Sequence, residues 1–398
     1  MRKIRIGLLG RILIAIGLGI IAGHFFSEIP VRSFVTFNGI FSSFLDFIIP
    51  LIIVGLVTPA IADIGKGAGK MLLITTFLAY GATIFSGFLS YFSGDIFFPK
   101  FIDSKIALSQ ICDAQGITPF FTIRIPPILN VMTALVLSFT IGLGLANLRT
   151  TTLKQVFNEF KIIIEKTIQK VILPLLPIYI FGIFLNMTYS GQVYHVLSVF
   201  IKIIGVIFVL HIFLLLLQYC IAGLISHKNP FRLLKEMLPA YFTALGTQSS
   251  AATIPVTLEH TLANGVRKDI ASFVIPLCAT IHLSGSTLKI VACALALMIL
   301  QGMPYSLSLF SGFILMLGIT MIAAPGVPGG AIMASLGVLS SFLDFDENNQ
   351  ALMIALYIAM DSFGTACNVT GDGALAIIIN RLANRSKTPE KCDKSFSP

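Results

Sequence analysis

The sequence predicts an all-α, polytopic membrane protein with eight transmembrane helices and two re-entrant helical hairpins. Three observations lead there. Of the 398 residues, 56% are hydrophobic and only 11% are charged, against about a quarter charged in a typical soluble domain. Mean hydropathy is +0.92. Apolar runs near or beyond the roughly 20 residues that cross a hydrocarbon layer recur along the whole chain.

The spans fall at about 8–26, 40–64, 70–98, 127–147, 157–187, 193–225, 268–301 and 349–384. The first run, LLGRILIAIGLGIIAGHFF, is longer than the core of a secretory signal and many others follow it, so it reads as a retained span. Several spans exceed the minimum length and therefore tilt, break or extend into water. Residues 233–265 and 305–343 behave differently. GTQSSAATIP interrupts one and APGVPGG the other, which leaves two short helices around a polar or glycine-rich tip in each. Lipid cannot satisfy the backbone of such a tip, so it must be buried in protein or line a wet cavity.

The net charge of +9 does not need nucleic acid to explain it, because the basic residues flank spans. Arg2, Lys3, Arg5 and Arg11 open the chain. Lys66 and Lys70, Arg149 and Lys154, Lys228, Arg232 and Lys235, and Arg267 and Lys268 follow at span ends, and a tail from Arg381 to Lys394 closes it. The alternate loops carry Glu28, Asp95, Asp103, Asp113, Asp344, Asp346 and Glu347. The positive-inside rule then puts both termini on the cytoplasmic side, and a multi-pass protein of the plasma (inner) membrane is expected. Hairpin one enters from inside and hairpin two from outside. Segments 233–301 and 305–384 each become a hairpin plus a broken helix of opposite orientation. Secondary transporters place substrate and ion sites where such inverted repeats meet. Six cysteines show no CxxC spacing. Cys220, Cys278, Cys293 and Cys367 sit in apolar runs and Cys112 and Cys392 in polar ones, which gives neither a disulfide framework nor a zinc site.

Polar groups inside the last spans carry the chemistry. In DSFGTACNVTGDG, residues Asp361, Thr365, Asn368 and Asp372 follow i, i+4, i+7, i+11 and form one helical stripe, its carboxylates roughly 16 Å apart. A charge at the bilayer centre costs at least about 2.5–3.5 kcal/mol. A polar seam between helices would explain such a stripe, but a seam rarely needs two carboxylates, so the stripe is expected to face a partner, a cavity or an ion. Gly371 and Gly373 suggest local unwinding around Asp372. ATIHLSGST, residues 279–287, interrupts span seven with His282, Ser284, Gly285 and Ser286 and reads as a break that exposes carbonyls, or as a kink with back-bonded hydroxyls. Ser249 and Ser250 stand at the first hairpin tip, where free N–H groups hold carboxylates. Glycines at the second tip admit close backbone approach. Lys289, deep in span seven, either snorkels along a cavity or pairs with a carboxylate. A tethered cation is its functional reading.

In this arrangement the chain resembles the dicarboxylate/amino acid:cation symporters, which include glutamate and neutral amino acid transporters. SSAATIPVT matches that family's inner-hairpin tip, ATIHLSGS loosely matches its span-seven motif, Gly326 to Gly329 match its GVPG, and Asp361, Asn368 and Asp372 match the last span. The resemblance implies a homotrimer in which a transport domain slides against a scaffold. Residues 1–64 and 101–187 would be scaffold, and 65–100, 188–232 and 233–384 would be transport domain, with 385–398 a basic cytoplasmic tail. It also implies that Asp361 binds a substrate ammonium, within a pocket of Ser249, Ser250, Ser286, Val327, Gly329, Gly364, Thr365 and Asn368. Acidic-substrate members carry an arginine where Gly364 stands, so a small neutral amino acid is expected. The same resemblance puts sodium on Asp372, with carbonyls of Cys278, His282 and Asn368, and a further sodium near Thr280 and the outer hairpin. Ser284 replaces the family's aspartate, so about two sodium ions are expected, with proton coupling through His282 as an option.

Other classes fit less well. A sodium- or proton-coupled dicarboxylate or glutamate symporter is the nearest alternative. In an intramembrane aspartyl protease two aspartates must share a proton, and Asp361 and Asp372 lie three turns apart on one helix. His282 and Ser284 are i, i+2 and point apart on a helix, which argues against a serine protease. A passive channel needs neither hairpins nor an ammonium-binding aspartate.

Overall fold

The structure is a computed structural model that describes residues 7–65, 70–102, 117–148, 151–191, 193–324, 326 and 328–385. Every regular element among them is helical. The helices are α1 (Leu8–Phe25), α2 (Glu28–Gly65), α3 (Lys70–Phe101), α4 (Val131–Asn147), α5 (Thr152–Thr167), α6 (Leu173–Tyr189) and α7 (Val193–Ser226). Then come α8 (Pro230–Glu236), α9 (Leu238–Thr247), α10 (Ser250–Ala263), α11 (Lys268–Ile281), α12 (Ser284–Leu300), α13 (Leu307–Ile322), α14 (Gly330–Leu343), α15 (Glu347–Ala359) and α16 (Asp361–Arg385). A π-helical turn, Ile168–Ile172, joins α5 to α6.

Local chemistry sets many of the starts. Asn130, Ser249, Ser306 and Asp346 each accept a backbone N–H from the first turn of the helix they precede, which satisfies donors that the helix itself leaves unpaired. Asn229 does the same for α8, with Pro230 at its first position, where a missing N–H does no harm. Among the described residues, six helical stretches are by length and composition able to cross a membrane: Glu28–Ala62, Met71–Lys100, Thr152–Tyr189, Val196–Ser226, Lys268–Leu300 and Asp361–Ala383. With the shorter apolar helices between them, the chain is a multi-pass integral membrane protein.

Packing sorts the helices around the last two breaks. α1 lies along α6, and α2 along α4 and α5. α3 and α7 flank α12, and α16 is wrapped by α7, α9, α10, α11 and α12. α9 packs on α10 and α13 on α14, so residues 233–265 and 305–343 each fold as two short helices around a tip. Every residue of α12 is buried, as no lipid-facing helix would be.

The break of span seven falls at His282–Leu283, inside the predicted motif. Span eight breaks at Met360, immediately before Asp361, and α16 then runs without interruption through Asp372. The unwinding expected at Gly371 and Gly373 is therefore absent. Those glycines serve close packing: a Cβ at 371 would lie 2.7 Å from Gln218 Oε1 and 2.8 Å from His282 Cε1, and one at 373 would lie 2.7 Å from Met237 Cε. Val327 lies outside the described residues, as do Arg2, Lys3, Arg5, Lys66, Asp103, Cys112, Asp113, Arg149 and the tail from 386 on, Cys392 included.

Candidate functional site

All four stripe residues of α16 are buried: Asp361, Thr365, Asn368 and Asp372. They face a core built from the α11–α12 break and the hairpin tips. Each carboxylate has a basic partner from that core.

Asp361 stands at the first position of α16. Its Oδ2 accepts the Gly329 backbone N–H at 2.8 Å. Gly329 has φ +73°, a left-handed turn that glycine takes without steric penalty and that directs the second hairpin tip onto the carboxylate. Asp361 Oδ1 accepts from Lys289 Nζ at 3.0 Å. The Lys289 side chain is 0% exposed. Its ammonium also donates to Met360 O at 3.4 Å and sits 3.4 Å from the centroid of the Tyr357 ring, a cation–π contact. Gly364 makes this possible, since a Cβ there would lie 2.7 Å from both Nζ and Cε of Lys289. The lysine thus fills the space that a side chain at 364 would take. Of the two plain readings of Lys289, the structure selects pairing with a carboxylate.

Asp372 pairs with His282 across the helix break. Nδ1 and Oδ1 are 2.8 Å apart, and the two side chains are 0% and 1% exposed. A carboxylate only accepts, so Nδ1 carries the hydrogen. His282 Nε2 and Gln218 Oε1 are buried without a hydrogen-bond partner, and Gln218 Oε1 and His282 Cε1 both crowd the α carbon of Gly371, the residue before Asp372. The free amide oxygen of Gln218 is the kind of ligand a hard cation takes. Cys278 O accepts the His282 N–H at 2.8 Å, so it points at the same break.

Asn368 ties the two broken helices together. Its Oδ1 accepts from Gly285 N at 2.8 Å and Ser286 N at 3.3 Å, capping α12. Its Nδ2 donates to Ser286 Oγ at 3.0 Å, and Tyr357 donates its hydroxyl to the same oxygen at 3.0 Å. Carbonyls of the first two turns of α12 accept from other helices: Ser284 O from Ser86, Leu288 O from Ser90, and Gly285 O from His211.

The hairpin tips meet. Ser249 Oγ donates to Gly326 O at 2.8 Å and accepts from Ala252 N at 3.2 Å. Ser250 begins α10 and is buried. Gln248, at φ 54°, donates its side-chain amide to Ser362 Oγ at 2.9 Å. The structure brings Ser249, Gly329, Asp361 and Gly364 into one region with Ser286 and Asn368 beside it. Thr280 is different. It is exposed and its hydroxyl is turned back to Leu277 O at 2.7 Å, so only its backbone is left for an ion. A cavity of about 660 Å³ lies elsewhere, lined by residues such as Asn38, Arg124, Tyr179 and Glu347.

Sequence reasoning passed over Tyr357, His211 and Gln218. Tyr357 lies one turn before Asp361, and His211 and Gln218 each interrupt the apolar run of span six. A polar residue inside such a run was the available signal.

A family model described as the sodium:dicarboxylate symporter family matches residues 8–382. Excitatory amino acid transporter 4 of Mus musculus is 36% identical over 169 residues, 41% of this chain and 29% of its own length. An excitatory amino acid transporter of Caenorhabditis elegans is 28% identical over 259 residues, 63% of this chain and 50% of its own. Neutral amino acid transporter B(0) of Homo sapiens is 30% identical over 174 residues, 42% of this chain and 32% of its own. The matches thus span half or less of these relatives' length. The matched proteins are transporters, not enzymes.

Proposed function

Because the chain belongs to the sodium:dicarboxylate symporter family, we propose that it is a sodium-coupled secondary transporter of a small amino acid. The observation that carries this reading is the pair of buried carboxylates on one face of α16, with Asp361 under the outer hairpin tip and Asp372 across the α11–α12 break. Asp361 has the charge to take a substrate ammonium. Asp372, with the carbonyls of Cys278, His282 and Asn368, has the oxygens for sodium, and the backbone at Thr280 and the outer hairpin could supply a second ion. About two sodium ions per substrate follow, with His282 as a route for proton coupling.

The reading includes an inner-membrane homotrimer with both termini cytoplasmic, eight spans and two hairpins. Residues 1–64 and 101–187 form its scaffold, and 65–100, 188–232 and 233–384 the part that moves past it, elevator-fashion. The preferred substrate is a small neutral amino acid. Lys289 and Asp361 cancel each other's charge, so a zwitterion leaves the site balanced, and Ser250, Ser286 and Thr365 suit a small polar side chain. A second reading, an acidic amino acid or dicarboxylate, is favoured by one observation: Lys289 puts a cation in the space at Gly364, where the sequence alone placed none.

A thermal-shift screen of the purified chain against the twenty amino acids and succinate, with and without sodium, tests both readings. Sodium-dependent stabilisation by serine, threonine or alanine supports the first and by aspartate, glutamate or succinate the second. No sodium-dependent stabilisation by any of them would sink the proposal.

A further inference from the structure

We propose that Lys289 is a specificity-determining residue of the transport site: it is a resident ammonium that exchanges partners, leaving Asp361 to the substrate's ammonium and taking the substrate's carboxylate. This rests on the amino acid reading above.

The geometry supplies each part. Both oxygens of Asp361 are engaged, one by Gly329 N–H and one by Lys289 Nζ. An incoming ammonium brings a second positive charge to the same carboxylate, in surroundings where like charges repel strongly. Lys289 relieves this by moving, and it is built to move. Its stem is a flexible four-carbon chain, and Gly364 places no side chain beside it. The Tyr357 face under Nζ can hold the ammonium while its anion changes, because cation–π attraction does not depend on a particular donor direction. The released lysine then needs an anion, since an unpaired buried charge is strongly unfavourable. Only a substrate with its own carboxylate provides one. The exchange therefore admits amino acids and rejects bare amines.

The experiment measures binding of L-serine, L-aspartate and ethanolamine to the purified full chain in sodium, for the parent, Lys289→Met and the double variant Lys289→Ala/Gly364→Arg. Folding is checked by size-exclusion profile and thermal unfolding. The parent is expected to bind at least one of the amino acids and to reject ethanolamine. Lys289→Met should lose about ten- to a hundredfold in amino acid affinity, the value of one charge-assisted hydrogen bond. Its preference for serine over ethanolamine should shrink by a similar factor, a ratio that a merely structural lysine would leave alone. The double variant re-supplies a cation to the same space from α16 and should recover amino acid binding and amine rejection. A folded Lys289→Met chain with the parent's affinities and the parent's ratio overturns the proposal. If Lys289→Met does not fold, a folded double variant that binds no amino acid overturns it. A parent that in sodium binds none of the twenty amino acids or succinate overturns the transport reading along with it, whereas a parent that binds serine or aspartate with an unmoved ratio in Lys289→Met overturns the partner exchange alone.

Discussion

His282 donates its Nδ1 hydrogen to Asp372 Oδ1 at 2.8 Å across the break between α11 and α12, with both side chains buried. The hydrogen bond and a bound sodium ion would draw on the same carboxylate. Substitutions on the two sides should therefore act in opposite directions. Asp372→Asn removes the charge and should weaken sodium affinity by about tenfold or more. His282→Ala removes the competing donor and should raise sodium affinity by about three- to tenfold. Sodium titrations of substrate binding in the parent and both variants check this; overlaying curves for Asp372→Asn would remove Asp372 from the ion site.

Asp361→Ala should do more than abolish amino acid uptake. It leaves Lys289 buried without its anion, a change worth about 3–5 kcal/mol of stability. The neutral pair Asp361→Asn/Lys289→Met should recover most of that loss and still not transport. Unfolding midpoints of the two variants make the comparison. Equal midpoints for Asp361→Ala and the parent would contradict the buried pair.

Gly364→Ala should be destabilising by about 1–3 kcal/mol, because the added carbon drives Lys289 from its position. Gly364→Arg alone should be worse. Neither effect should survive in a Lys289→Ala background, where the space is free. A double-mutant cycle on thermal stability reads the coupling directly; additive effects would mean that the two positions do not share one volume.

Ser249→Ala removes the helix cap of α10 and the bond that joins the two hairpin tips. The cap contributes about 1 kcal/mol. Amide exchange at Gly329 and Gly330 should quicken by about fivefold if Ser249 holds the second tip in place through Gly326. Unchanged exchange there would show that the first tip does not brace the second.

Much of this was legible in the sequence because membrane spans, breaks and stripes are local patterns. The i, i+4, i+7, i+11 spacing placed four side chains of α16 on one buried face, and the polar interruption at 279–287 located the break at His282–Leu283. The glycines at 371 and 373 were misread for a physical reason: a glycine that unwinds a helix and one that admits a neighbour look alike until the neighbour, here Gln218, His282 or Met237, is in place. The Lys289–Asp361 pair was hidden in the same way. Lys289 stood out as a charge inside an apolar run, but its partner is 72 residues away, and no periodicity links positions on separate helices. The expectation of a neutral substrate came from Gly364 alone, and Lys289 fills the space that glycine leaves.

The Lys289–Asp361 pair also bears on the membrane potential. Moving one elementary charge through 100 mV involves about 2.3 kcal/mol. A moving core that returned with two bare carboxylates would feel the field twice over, and its rate would follow the voltage steeply. If α12 and α16 move together, as proposed, Lys289 travels with Asp361 and neutralises it, and only Asp372 is left to respond. The returning step then carries at most one net charge from this stripe. The current that accompanies each cycle would report the sodium and the cargo far more than the protein that carries them.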